Sequence, residues 1–218
     1  REVDAIVEVV RCFEDKNIIH VDGNVDPIRD IEVINLELIF SDLEIIDNRI
    51  NKIAKKAQTS KNKDDLIEYN LLLRIKENLE KGTSIRNISL NEDELNIINN
   101  FNFITQKKVI YIANVNEEDA IIGENEYTKM VEEYVQNEGA SIVVMCAKLE
   151  SELSELNNEE RIAFMNDLGL NSSGLDMLIK ATYSLLGLKT FFTSGTDECR
   201  AWTFKNGMKA PECAGIIH

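Results

Sequence analysis

The chain has 218 residues, of which 24 are Lys or Arg and 39 are Asp or Glu, so its formal net charge is −15. A chain this acidic is a poor non-specific binder of nucleic acid, because its summed field repels phosphate. The apolar fraction of 44% and the charged fraction of 29% are typical of a globular protein and argue against intrinsic disorder. No apolar run approaches the roughly 20 residues of a membrane-spanning helix, and we find no signal peptide, so we expect a cytoplasmic protein that binds no membrane.

Three short apolar runs predict β-strands at residues 6–10, 109–113 and 142–146. The later two alternate with helical patterns such as that of residues 127–136, which favours a parallel α/β sheet. Ligands of such sheets bind at the carboxyl ends of the strands. The segments that directly follow the three runs are therefore the first candidates for a functional site.

A long helical stretch separates the first and second predicted strands. Residues 30–58 carry apolar residues at alternating spacings of four and three, as the seam of an antiparallel helical pair requires. The residues of this seam are Ile39, Leu43, Ile46, Ile50 and Ile53. A second helix is predicted over residues 63–81, and a third begins near Asn91, where Glu94 completes a capping box. Because a crossover needs only about a dozen residues, we expect a helical hairpin inserted into the sheet domain.

The predicted turn of this hairpin is basic, although the chain as a whole is acidic. Its lysines are Lys52, Lys55, Lys56, Lys61 and Lys63. Cations suit the C-terminal end of a helix, so a solvated helix end is one interpretation of this segment. Contact with a phosphate backbone is the other, and the pattern alone does not decide between them.

The last part of the chain changes in character. A helix is predicted over residues 173–185, and strand-like runs at residues 189–193 and 199–204 are separated by turn signals. These runs predict the start of a β-rich second domain. Neither end of the sequence resembles a natural terminus, so we expect a fragment of a longer protein.

The sequence pattern predicts neither a zinc site nor a disulfide bond. The four cysteines form no C-x-x-C pair, and with only two histidines no zinc spacing can be assembled from neighbouring residues. We interpret the cysteines as buried or incidental thiols and assign no metal ligand.

An asparagine and a glutamate three residues apart follow the second predicted strand. Asn114 and Glu117 stand where P-loop GTPases carry N/T-K-x-D, with Val115 in place of the lysine. The aspartate of that motif accepts hydrogen bonds from N1–H and N2–H₂ of guanine, whereas adenine needs an acceptor for N6–H₂ and a donor for N1 or N7. The pattern therefore weakens guanine selection and allows adenine, although N-x-x-E alone is a weak signal.

A second loop follows the next strand. Ala147 and Lys148 stand where such GTPases carry an S-A-K-type loop that backs the base. The order and spacing of the two loops together favour a nucleotide site.

Several strings of the sequence resemble the YchF or Obg-like ATPase family. They are RCFED at 11–15, IIHV at 18–21, VDPIRDIE at 25–32, ANVNE at 113–117, NNEER at 157–161 and RAWT at 200–203. The resemblance covers essentially the whole chain. It implies a Ras-like P-loop NTPase domain with a parallel sheet, interrupted by an antiparallel coiled coil and followed by a β-grasp TGS domain.

The resemblance also implies boundaries. The nucleotide-binding domain would occupy residues 1–35 and 105–187, the coiled coil residues 36–104, and the start of a truncated TGS domain residues 188–218. The P-loop, the switch regions and the ligands of the Mg²⁺ cofactor would lie upstream of residue 1, so the fragment alone would be inactive.

The function implied by the resemblance is ATP-preferring hydrolysis to ADP and phosphate, in association with the ribosome and its RNA, in translation or stress control. His20 would position the attacking water in place of the usual glutamine. The base would contact Asn114, Val115 and Glu117, backed by Ala147 and Lys148. The candidate RNA contacts are the five lysines of the hairpin turn together with Arg200. The alternatives are an exposed His20 without a role, a GTP-specific Obg-type GTPase, and a non-catalytic coiled-coil interaction module; no DNA partner is expected.

Overall fold

The structure is a computed structural model that describes residues 2–18, 23–59, 63–196 and 198–217, and only the backbone of residues 55–59. The described residues divide into two compact units. One contains residues 23–108 and the start of the first strand, and the other contains residues 7–18 and 109–217.

The strands are β1 (Ala5–Arg11), β2 (Lys108–Asn114), β3 (Ser141–Met145), β4 (Leu188–Ser194) and β5 (Cys199–Lys205). The helices are α1 (Pro27–Thr59), α2 (Lys63–Glu80), α3 (Glu92–Ile98), α4 (Glu117–Ile122), α5 (Glu126–Glu138), α6 (Ala147–Glu155), α7 (Asn158–Asp167), α8 (Gly174–Leu186) and α9 (Ala210–Ala214), with short 3₁₀ turns at Ile85–Asn87 and Asn99–Phe101. Every predicted strand and helix is present with slightly displaced ends. The sequence patterns did not predict α4, α6, α7 and α9.

A sheet of order β1-β2-β3 confirms the α/β class. β2 and β3 pair in parallel, from Ile110 opposite Ser141 to Asn114 opposite Met145. The central strand β2 is buried at five consecutive positions, 109–113. A parallel strand covered on both faces has such a continuous apolar run, because no face of it is left for polar residues.

The start of α8 is fixed against β3 and α6. Glu150 of α6 accepts hydrogen bonds from the backbone N–H groups of Gly174 and Leu175, at 2.6 and 3.1 Å. These two donors have no partner within their own helix. A Cβ atom on Gly174 would lie 2.4 Å from Cβ of Met145, so only glycine permits α8 to approach the strand this closely.

The helical unit has a core of its own. Ile39, Ile46 and Ile53 of the predicted seam are buried, and Leu43 and Ile50 pack against them partly buried. From α2 the core receives Leu71, Leu72, Ile75 and Leu79. Two ion pairs, Arg49–Glu68 and Lys76–Asp47, join α1 to α2 in antiparallel register. The predicted helical hairpin is therefore confirmed.

A buried carboxylate ties the segment before β2 to α1. Asp42 is 0% exposed and accepts hydrogen bonds from the backbone N–H groups of Ile104 and Thr105, at 3.0 and 2.7 Å. The hydroxyl of Thr105 donates a third, at 2.8 Å. A buried charge needs such partners, because burial without them is strongly unfavourable.

The two strands predicted near the end of the chain, β4 and β5, pair in antiparallel register, from Leu188 opposite Lys205 to Ser194 opposite Cys199, and so form a β-hairpin. The indole N–H of Trp202 donates to the hydroxyl of Thr193 at 2.9 Å. Among the described residues, no helix has both the length and the apolar character needed to cross a bilayer.

Replacement of Asp42 by Asn tests the contribution of the buried carboxylate and its hydrogen bonds to stability. The amide presents N–H groups to backbone N–H donors, and we expect a loss of about 1–3 kcal/mol in the free energy of unfolding. Urea denaturation followed by circular dichroism measures this loss. The matched control is Asp47→Asn on the same helix, whose side chain is 48% exposed in its pair with Lys76 and which should cost less than about 1 kcal/mol. Equal losses at the two positions would contradict the assigned role of Asp42.

Candidate functional site

A pocket of about 500 Å³ lies at the carboxyl ends of β1, β2 and β3. It is lined by Phe13, Glu14, Asp15, Ile18, Asn114, Val115, Asn116, Glu117, Glu118, Cys146 and Lys148. This is the edge at which parallel sheets bind ligands. Four of the five residues predicted to contact a nucleotide base line the pocket, and the fifth, Ala147, lies between two lining residues in sequence.

Backbone pairing builds the floor of the pocket. The N–H of Cys12 donates to the carbonyl of Asn114 at 2.8 Å, and the N–H of Val115 donates to the carbonyl of Met145 at 3.0 Å. The side-chain oxygen of Asn114 accepts a hydrogen bond from the N–H of Ala147 at 2.9 Å. Asn114 therefore connects the end of β2 to the first residue of α6.

Val115 supplies an apolar contact to this floor. The residue is only 2% exposed. Its N–H donates to the carbonyl of Met145, so this backbone donor is already used within the sheet.

An ion pair forms part of the rim. The ammonium of Lys148 lies 2.6 Å from Oε1 of Glu117, and 3.9 Å from the carboxylate of Glu152. The hydrogen bond to Glu117 raises the pKa of Lys148, with a smaller contribution from Glu152. The side chains of Lys148 and Glu117 are 73% and 46% exposed. The pair is therefore accessible to a ligand and contributes little to stability, since exposed pairs are screened by solvent.

Local helix geometry positions Glu117. It is the first residue of α4, whose N-cap, Asn116, accepts a hydrogen bond from the N–H of Asp119 at 2.8 Å. Negative charge in the first turn of a helix is stabilised by the helix dipole. Lys148 is the second residue of α6, a helix whose N-cap Cys146 makes no side-chain capping bond, so both members of the pair stand on regular elements.

Part of the pocket lining comes from a loop that we call the wall loop, residues 12–18. Phe13, Glu14, Asp15 and Ile18 of this loop line the pocket. Arg11 holds it, since its guanidinium donates to the carbonyls of Phe13 and Ile18 at 3.1 and 3.2 Å. The same group lies 5.0 Å above the ring of Phe13, a cation–π distance.

The charge of the lining limits what the pocket can bind. Four carboxylates line it, and Lys148 is the one cation among the lining residues. Such a lining repels phosphate groups but accepts hydrogen bonds from the amino group of a base.

No group of three His, Cys, Asp or Glu side chains that could hold a metal ion occurs among the described residues. We therefore assign no metal ligand among the described residues and derive no step through Mg²⁺.

The remaining predicted residues lie away from this pocket or outside the described residues. His20 and Lys61 lie outside the described residues, and Lys55 and Lys56 are described by their backbone in α1 alone. Lys52 and Lys63 are exposed, at the end of α1 and the start of α2.

Arg200 is exposed on β5 and lies 4.2 Å above the ring of Trp202. A guanidinium on an aromatic face is held in one orientation while its N–H groups stay in contact with solvent. It could therefore donate hydrogen bonds to a phosphate or to a base.

Sequence reasoning missed several residues of the site. Phe13 lines the pocket, and Asn125 donates from Nδ2 both to the carbonyl of Cys12 and to Asp119, each at 2.8 Å. Asn125 and Thr128 form a capping box, and this pattern could have predicted the start of α5. The capping-box pattern could not have predicted the hydrogen bond from Asn125 to the carbonyl of Cys12, because Cys12 is 113 positions away in the sequence.

Comparison with known proteins gives consistent results in sequence and in structure. A family model, YchF-GTPase_C, described as "Protein of unknown function (DUF933)", matches residues 188–218. The "Ribosome-binding ATPase YchF" of Bacillus subtilis (strain 168) is 50% identical over 219 residues, covering 100% of this chain and 60% of that protein. The protein of the same name from Escherichia coli O157:H7 is 44% identical over 218 residues, covering 100% of this chain and 59% of that protein.

The fold agrees with a solved structure of the same family, the "Structure of the Schizosaccharomyces pombe YchF GTPase". The TM-score is 0.86 at 34% identity, over 99% of this chain and 59% of that chain. This chain thus spans about 60% of the length of the curated relatives it matches. The sequence resemblance is confirmed over the whole chain, and the chain belongs to the YchF family.

Proposed function

We propose that this chain is part of a ribosome-associated P-loop nucleoside triphosphatase that prefers ATP. Its pocket at the ends of β1, β2 and β3 would bind the base of the nucleotide. The observation that carries the proposal is the Glu117–Lys148 pair at the rim of this pocket, 2.6 Å between Oε1 and Nζ. The names of the relatives support the coarser class, since one specifies a ribosome-binding ATPase and the other a GTPase.

The chemistry of the pair favours adenine. The carboxylate of Glu117 can accept a hydrogen bond from N6–H₂, and the ammonium of Lys148 can donate one to N1. Oε2 of Glu117 has no hydrogen-bond partner among the described residues, so one carboxylate oxygen remains for a ligand. Guanine would need two acceptors side by side for N1–H and N2–H₂, and Lys148 already occupies one oxygen.

Apolar contacts complete the base site. Phe13 and Val115 are apolar residues of the pocket lining, and we propose that a planar base packs against them. The acidic lining excludes the phosphates from this end of the pocket. The phosphates and Mg²⁺ would be held by residues upstream of residue 1.

Hydrolysis in this proposal is the attack of water on the γ-phosphorus, which breaks the bond to the β,γ-bridging oxygen and yields ADP and phosphate. His20 would orient the attacking water from the segment that follows the wall loop. Residues 1–35 and 105–187 would belong to the nucleotide-binding domain, residues 36–104 to the coiled-coil insertion, and residues 188–218 to a TGS domain. The lysines of the hairpin turn and Arg200 would contact ribosomal RNA in the cytoplasm.

Removal of the Glu117 carboxylate tests the base assignment. In the whole protein that contains this chain, Glu117→Ala should weaken ATP binding roughly tenfold, because a hydrogen bond to a charged group is lost. GTP binding should change less, so the preference for ATP should collapse. Isothermal titration calorimetry with both nucleotides measures these affinities.

Glu152→Ala is the matched control, since this carboxylate also lies near Lys148 but does not line the pocket. Equal effects of the two substitutions would contradict the role of Glu117. Equal affinity of the unmodified protein for ATP and GTP would contradict the adenine preference itself.

Substitution of His20 tests the catalytic assignment. His20→Ala in the whole protein should lower kcat by about 10²-fold or more, the usual effect of a lost proton-transfer or water-orienting group. KM for ATP should change little, because His20 would not contact the base. Phosphate release under saturating ATP measures kcat. His218→Ala, the only other histidine of this chain, is the control, and a His20→Ala variant with unchanged turnover would refute the assignment.

Charge reversal in the hairpin turn tests the RNA contact. Lys55→Glu together with Lys56→Glu should weaken co-sedimentation with ribosomes, and the dependence on salt should become shallower because fewer counterions are released. Lys129→Glu together with Lys180→Glu makes the same change in charge on α5 and α8. If both pairs weaken binding equally, net charge rather than the turn is responsible.

A further inference from the structure

The first turn of α5 contacts the wall loop by side chains. The hydroxyl of Tyr127 donates a hydrogen bond to Oε1 of Glu14 at 2.8 Å. Two residues earlier, Nδ2 of Asn125 donates to the carbonyl of Cys12 at 2.8 Å. These two contacts join residues 113 positions apart in sequence. The loop that forms one side of the pocket is thus attached to a helix that does not itself line the pocket.

α5 is a rigid support for this attachment. Val131 and Val135 are 0% and 1% exposed, so the inner face of the helix is fully buried. A capping box at Asn125 and Thr128 fixes its first turn. Tyr127 therefore stands on an element whose position is set by packing, and it can transmit that position to Glu14.

The wall loop lacks regular structure that could hold its shape alone. Residues 12–18 are in no helix or strand. The carbonyls of Phe13 and Ile18 are held by Arg11, and Asp15 accepts from the N–H of Asn17 at 2.8 Å. Among the described residues, Tyr127 makes the only side-chain hydrogen bond to Glu14 that comes from outside the loop.

We propose that Tyr127 is a positioning residue for nucleotide binding. It contacts no ligand, but its bond to Glu14 holds the wall loop in the shape that receives the base. This inference rests on the proposed function of the pocket. A loop ordered before the ligand arrives avoids the entropy cost of ordering during binding, so loss of the bond should reduce affinity.

The predicted effect is on binding rather than on chemistry. Tyr127→Phe keeps the ring and removes only the hydroxyl. We expect Kd and KM for ATP to rise roughly three- to tenfold, the factor that corresponds to one hydrogen bond. The value of kcat should stay within about twofold, because a positioning residue of this kind acts before the chemical step.

The test uses the whole protein, with ATP as the probe, in calorimetry and in steady-state kinetics. The control is Tyr134→Phe, which removes a hydroxyl from the same helix, where it bonds to Glu138 of α5 itself. This control should leave Kd and KM unchanged. A Glu14→Ala background provides the second comparison: there Tyr127→Phe should have no further effect on Kd, because its partner is already absent.

Three results would overturn the inference while leaving the proposed function intact. They are a Kd for Tyr127→Phe equal to that of the unmodified protein, an undiminished effect of Tyr127→Phe in the Glu14→Ala background, and a fall in kcat with unchanged KM. If the unmodified protein binds no nucleotide, the proposed function fails first and the inference fails with it. The melting temperatures of Tyr127→Phe and Tyr134→Phe are compared with that of the unmodified protein. A variant that loses affinity because it is partly unfolded is recognised by its lower melting temperature.

Discussion

The parallel pairing of β2 with β3 is the constraint on which the candidate site depends. It places Asn114 opposite Met145, and the side chain of Asn114 then reaches the N–H of Ala147 at 2.9 Å. A slip of one residue would exchange the faces to which the side chains of β2 point, and five consecutive buried side chains would then have to repack against different neighbours. The same register brings Glu117 and Lys148 to one rim. The arrangement of polar groups at this edge is therefore a consequence of how the core of the sheet packs.

The helical unit has an apolar core of its own and a buried carboxylate that accepts hydrogen bonds within the unit. Its apolar core lies between α1 and α2, and Asp42 joins α1 to the segment that leads into β2. An insertion with a separate core can lie between two strands of a sheet without contributing to the core of that sheet. The long sequence separation between β1 and β2 is thus compatible with a short spatial connection at Cys12 and Asn114, whose backbones bond at 2.8 Å.

Much of this architecture could be predicted from the sequence, because strands and long helices have strong periodic signals. The seam of α1 and the capping box at Asn91 correspond directly to buried residues and observed caps. The sequence patterns do not predict α6 and α7, because Ala147 stands where P-loop GTPases carry a loop and α7 buries only Met165. Ala147 and Lys148 were expected near the base, but the pairing of Lys148 with Glu117 needs the relative positions of two helix starts. No local pattern contains that information, and the same is true of the contact between Tyr127 and Glu14.

The sequence distance between the two sides of the pocket has a consequence for folding. Hydrogen bonds that join residues 113 positions apart close a very long loop, and the entropy of that closure delays their formation relative to local helix contacts. The helical hairpin, by contrast, is built from contacts between adjacent elements. A ligand of the pocket would thus bind only a folded chain in which these long-range hydrogen bonds have formed. Its binding free energy would stabilise that folded state alone. In such a chain, ligand-dependent protection from proteolysis would report on the last contacts to form rather than on the first.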